Sequence, residues 1–153
     1  MRQRLKKKIA KKISSNIKEK FGIEIKGDMD VTEVNGRKII LVNNEPFLIE
    51  HDGEYYPTVY LILKQKPEKG RVVVDKGAVN FVMNGADVMR PGIVHADKEI
   101  KKGDFVYVTV EEKDTPIAIG IALTDGEDMI GDRGKVVRNI HHIKDRVWNH
   151  FFG

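Results

Sequence analysis

The chain has 153 residues, 41% of them hydrophobic and 33% charged, with 27 Lys and Arg against 23 Asp and Glu, a composition that suits one folded domain or two small ones and excludes disorder throughout. The longest apolar run, residues 117–123, falls far short of the roughly 20 residues of a membrane span, and the lysine-rich start lacks the apolar core of a signal peptide, so a cytoplasmic protein with no membrane partner is expected. With no cysteine, disulfides, thiolate zinc sites, iron–sulfur clusters and cysteine nucleophiles are excluded.

The charge is unevenly placed. Residues 1–20 carry nine basic side chains against one acid, Glu19, whereas the remainder is mildly acidic. Leu5, Ile9, Ile13, Ile17 and Phe21 recur every fourth residue, which predicts a helix that docks an apolar stripe on the body, with Gly22 as its stop. Its outward lysines, among them Lys6, Lys7, Lys11 and Lys12, are candidate contacts to RNA or the ribosome; a solubilising face explains them equally well.

Beyond the helix, residues 31–34 and 38–42 flank Asn35-Gly36, a strong hairpin signal, and turns at residues 43–45 and 51–54 continue a small meander. Residues 58–64 are apolar without a clear period, so helix and strand fit equally, and Pro57 suits a first helical turn. The polar segment 65–70 is the candidate linker, dividing a domain at 1–68 from one at 69–153.

In the second part, residues 71–74 read as a strand, and Asp75 N-caps a helix over 76–83 that Asn84-Gly85 ends. Strands follow at 86–89, 105–110, 116–123 and 136–140, with Pro91-Gly92 as a turn and Gly120 marking a bulge or a close backbone approach. Short strands with one helix predict a small closed or nearly closed β-barrel, and the whole chain reads as α+β. Phe81, Phe105 and Tyr107 are expected in the core, and Trp148 as a lid over the barrel.

Several chemistries lack their residues. No phosphate-cradling glycine loop occurs, no serine elbow, and no H-E-x-x-H pair among the five histidines; neither an enzyme nor a cofactor is expected. The acids Asp125, Glu127, Asp128 and Asp132 read as a solvated loop.

Residues 74–93, VDKGAVNFVMNGADVMRPGI, resemble the core signature of the PUA domain, an RNA-binding module; KKGDFVYV at 101–108 and AIGIA at 118–122 follow in the usual order. Residues 52–58 and 139–148 extend the resemblance to the malignant T-cell-amplified sequence family. That resemblance implies a small N-terminal α/β domain ahead of a C-terminal PUA-type barrel, and a helix at 58–64. It also implies a role in translation initiation or re-initiation, at the small ribosomal subunit or on tRNA, with a density-regulated-protein-like partner.

The matched residues fit RNA. Gly77, Ala78, Gly85 and Ala86 leave room for a nucleic-acid backbone or a terminal base to approach, and amides at the helix start at Lys76 are expected to face phosphate. Lys76, Arg90 before Pro91-Gly92, Lys135 and Arg138 are the candidate cations. The expectation is a non-enzymatic protein binding tRNA or rRNA; the rival is an RNA-binding accessory subunit of a tRNA-modifying enzyme, of the pseudouridine or archaeosine type.

Overall fold

A computed structural model describes residues 2–153, which divide into two compact units, the first ending at Glu68 and the second spanning Lys69–Gly153. In the first, strands β1 (Gln3–Arg4), β2 (Met29–Val34), β3 (Arg37–Val42), β4 (Glu45–His51) and β5 (Glu54–Pro57) form an antiparallel sheet in sequence order. Each of the three hairpins turns on two residues of positive φ, namely Asn35-Gly36, Asn43-Asn44 and Asp52-Gly53, the geometry whose twist matches that of the strands. Helix α1 (Lys7–Phe21) lies against β5, and α2 (Val59–Lys64) against β4 and β5. Ile17, Ile23, Ile39, Leu48, Ile49 and Ile62 are buried between these layers.

Two details differ from the sequence expectation. The helix begins at Lys7, so Leu5 is not on its stripe; the Leu5 amide bonds to the Met29 carbonyl at 2.9 Å, continuing the β1 pairing. The cause is electrostatic. Asp30 on β2 is nearly buried and draws in Arg2 at 2.6 Å and Arg4 at 2.5 Å, and their hydrogen bonds, Arg4 foremost, hold its carboxyl below the usual range. Pro57 ends β5 instead of opening a helix: Thr58 is the N-cap, with Oγ1 donating to the Pro46 carbonyl at 2.7 Å and accepting from the Leu61 amide at 3.2 Å. Residues 59–64 are helical, as the resemblance implies.

The second unit carries β6 (Arg71–Val74), α3 (Val79–Met83), β7 (Val88–Met89), β8 (Ile93–Ala96), β9 (Phe105–Val110), β10 (Thr115–Ala122), β11 (Lys135–His142) and α4 (Arg146–Phe152). Its six strands run in the order β7-β11-β10-β9-β6-β8 and curve into a nearly closed barrel; β6 and β9 are parallel and every other pair antiparallel. Val72, Val74, Val106, Val108, Val136 and Met129 fill it. The β10–β11 register slips at Gly120, where a Cβ would lie 2.2 Å from the Arg138 carbonyl oxygen, so both the bulge and the close approach are present.

The expected 76–83 helix splits into a 3-10 turn, Lys76–Ala78, and the single α-helical turn and a half of α3. Strand β8 carries no period-two pattern, since Ile93 and Ala96 are buried around an exposed Val94-His95, and escapes sequence reading for that reason. Trp148 is no lid: it is half-buried beside Phe152, ring centroids 4.6 Å apart, while its neighbour Val147 is the buried residue of α4.

Candidate nucleic-acid interface

Where the chain leaves β6, Asp75 is extended and its carboxylate accepts from the Ala78 amide at 3.0 Å, which turns the backbone at once into the 3-10 segment. Between this turn, α3, β7 and the Arg90–Gly92 turn opens a cavity of about 590 Å³. Gly77, Ala78, Ala86 and Gly92 line it with no side chain larger than a methyl, and a Cβ on Gly92 would already lie 3.0 Å from that of Ala78. Phe81, Val82, Met89 and Pro91 give the cavity its apolar walls.

Phe81 corrects the sequence expectation. Tyr107 is buried and Phe105 half-buried, but Phe81 is 69% exposed, with Met89 exposed beside the same cavity. Helix α3 is too short to have two faces' worth of core: Val79 and Val82, three apart, take the side towards the barrel and leave Phe81 facing out.

The remaining wall is polar. Asp87 Oδ2 lies 3.5 Å from Lys135 Nζ, and Oδ1 accepts from the Asn139 amide at 2.9 Å. The Asn139 side chain donates to the carbonyls of Val82 and Ala86, at 3.0 and 3.1 Å. Asn139 thus ties the cavity's 82–87 segment to β11. Neither Asp87 nor Asn139 stands among the residues marked from sequence; the one available signal was a polar amide inside an apolar strand.

Of the expected contacts, Gly77, Ala78, Ala86, Pro91, Gly92 and Lys135 line the cavity. The others lie off its lining. Lys76 is exposed, 2.9 Å from Glu112, whose hydrogen bond and charge push the ammonium pKa up. The amides expected to face phosphate are partly occupied, Lys76 N–H by Glu111 at 3.2 Å and Ala78 N–H by Asp75. Gly85 closes α3 with φ +93°. Arg90 donates from Nε to the Asp128 carbonyl at 2.9 Å and from Nη1 to that of Arg133 at 3.0 Å, bracing the loop before β11. Arg138 is exposed on β11 opposite Ile121. Lys6, Lys7, Lys11 and Lys12 are exposed on the other unit, at the start of α1. Among the described residues no His, Asp and Glu cluster is arranged to hold a metal ion.

Residues 70–143 match the family model described as the PUA domain, and residues 1–65 match a domain of unknown function, DUF1947. An uncharacterized protein of Methanocaldococcus jannaschii is 43% identical over 151 residues, spanning 95% of this chain and 93% of its own. The chain belongs to the PUA-domain protein family. The PUA protein is also similar to translation machinery-associated protein 20 of Schizosaccharomyces pombe, at 34% identity over 113 residues, and to malignant T-cell-amplified sequence 1 of Rattus norvegicus, at 30% over 117 residues. These alignments take in 70% and 73% of the chain but 62% and 64% of the relatives. A conserved PUA domain protein from Thermoplasma acidophilum superposes with a TM-score of 0.85, 31% identity and 99% coverage of both chains. A chain of the archaeal box H/ACA Nop10-Cbf5 complex matches 61% of the PUA protein and 29% of its own length, with 29% identity and a TM-score of 0.50. The family resemblance read from residues 74–93 is thereby shown.

Proposed function

We propose that this PUA protein is a non-catalytic RNA-binding factor of translation, and that its cavity holds an unpaired nucleotide of tRNA or rRNA. The observation that carries this is the exposed Phe81 ring beside a cavity floored by Gly77, Ala78, Ala86 and Gly92, in a chain related to translation machinery-associated proteins. A flat apolar ring receives a splayed base by stacking, and the small residues leave room for sugar and phosphate. Asp87 and Lys135 offer an acceptor and a donor to the base edge. Lys76, Arg138 and the Arg90-braced loop supply the cationic surroundings that neutralise phosphates.

In this reading the protein works in the cytoplasm on the small ribosomal subunit, with Lys6, Lys7, Lys11 and Lys12 reaching RNA or ribosome and a density-regulated-protein-like partner completing the assembly. The likeness to a chain of the H/ACA complex supports the second reading, an RNA-binding subunit of a pseudouridine- or archaeosine-type modification enzyme. Binding to purified small subunits and, separately, to total tRNA, each with salt titrated, separates the two. Subunit binding supports the translation factor, tRNA binding without subunits supports the second reading, and failure on both at low salt overturns RNA binding.

A further inference from the structure

The first unit holds a groove of about 290 Å³ between α1 and the β4–β5 hairpin; the RNA reading uses Lys12 at its rim but leaves its apolar floor unused. Two parallel stripes of α1 line it. Ile9, Ile13 and Ile17 recur every fourth residue as the apolar floor, and Lys12, Asn16 and Lys20 recur every fourth residue as the polar rim. Gly53, Glu54 and Tyr55 form the facing wall, and the Lys20–Glu54 ion pair at 2.7 Å closes one end.

Burial fades along the floor. Ile17 is buried, Ile13 half-buried and Ile9 48% exposed, so the apolar stripe runs out of its own unit towards the start of the helix. Charge changes over the same stretch. Lys18 and Lys20 find Glu24 and Glu54, whereas Lys7, Lys8, Lys11 and Lys12 have no ion-pair partner among the described residues. The open end of the groove therefore combines uncovered aliphatic surface with uncompensated positive charge.

We propose that this groove docks an acidic, extended peptide segment of a partner protein, anchored by one bulky aliphatic or aromatic side chain over Ile9 and Ile13. The anchor covers the exposed stripe, and flanking carboxylates meet Lys12 at the rim and Lys8 one turn before it. RNA supplies the negative charge but not the anchor. Its bases are best received on flat rings, and the floor here is branched aliphatic side chains with a single tyrosine at the wall. The site belongs to the first unit and stands independently of the cavity around Phe81.

The test selects short random peptides displayed on phage against the full-length protein, then measures the recovered sequences as synthetic peptides. Recovered sequences with carboxylates around a Leu, Ile or Phe support the proposal if Ile9→Asp and Lys12→Glu each weaken binding about tenfold or more while Ile9→Val and Phe81→Ala retain it. Ile9 is exposed enough for the substitution to leave the fold intact, which far-UV circular dichroism checks. Recovery of no sequence sensitive to Ile9 overturns it. So does oligouridylate binding lost on the uncharged Ile9→Asn, which makes the groove an RNA surface, or Ile9-dependent dimers in sedimentation, which assign it to a second copy.

Discussion

His141 Nδ1 lies 2.7 Å from Asp145 Oδ2, and this pair fastens the end of β11 to the start of α4. The same carboxylate oxygen accepts from the His142 amide at 3.0 Å, and the other caps α4 through the Trp148 amide at 2.8 Å. His141 is 2% exposed, so its ring has few polar partners to turn to. Burial alone drives the Asp145 carboxyl up; the hydrogen bond and charge of His141 and the two amides outweigh it and bring the pKa down to about 2.

That shift has a definite sign. A carboxylate depressed from 3.8 to about 2 on folding contributes stability that is complete above the unfolded value and disappears as pH falls through the folded one. The thermal midpoint of the native protein is expected to fall between these two values more steeply than that of Asp145→Ala. At neutral pH the substitution costs about 1–2 kcal/mol, allowing for solvent screening of the pair. Melting curves of both proteins across the acid range check this; parallel curves refute it.

Phe81→Ala separates stability from binding. Because the ring is exposed, the melting temperature is expected to stay nearly unchanged, whereas loss of a stacking platform weakens RNA affinity by about 1–3 kcal/mol. The salt dependence keeps its slope, since no cation is removed. Arg138→Ala, at an exposed cation beside the phosphates, behaves differently: affinity falls and the logarithmic salt slope drops by about 1. Fluorescence anisotropy with single-stranded RNA at several salt concentrations reads both quantities.

Asn139 acts on the cavity without lining it. Asn139→Ala removes the donors to the Val82 and Ala86 carbonyls, and the expected cost is about 1–3 kcal/mol of stability together with weaker RNA binding. Asn139→Asp keeps the shape but cannot donate at neutral pH, and it places a charge close to Asp87. It is expected to be no better tolerated than alanine. Denaturant titration paired with the same anisotropy assay tests this, and a variant with native stability but lost binding would instead point to direct contact with RNA.

Local chemistry was legible and long-range chemistry was not. The three hairpins were written in their turn residues, each of which tolerates positive φ, and the Asp75 cap precedes the very segment it folds. Strand β1 is different: two residues pair because Asp30, far along the chain, attracts Arg2 and Arg4. Phe81 shows the limit of periodicity, which identifies an apolar helix position but not the face left over when the helix has only five residues. Six of the ten expected RNA contacts in the second unit line the cavity, five because they share one turn-and-strand motif and Lys135 because β11 pairs with β7. Asp87 and Asn139, 52 residues apart in the chain, meet only after the barrel forms.

Gly120 is where that barrel has least tolerance. A methyl group there would meet the Arg138 carbonyl oxygen at 2.2 Å and Val137 Cγ1 at 2.6 Å. The first is backbone of the neighbouring strand and cannot swing aside, so β10 and β11 must separate at the bulge that sets their register. Gly120→Ala is therefore expected to cost at least about 1–3 kcal/mol, as overpacking does in a filled core. Gly103 offers the control. Its Cβ would meet nothing within 4 Å, and its φ of +93° makes backbone strain the whole penalty, about 1–2 kcal/mol. Denaturant unfolding is expected to rank Gly120→Ala below Gly103→Ala in stability; the reverse order would mean that β10 and β11 can part at little cost and that the barrel is held elsewhere.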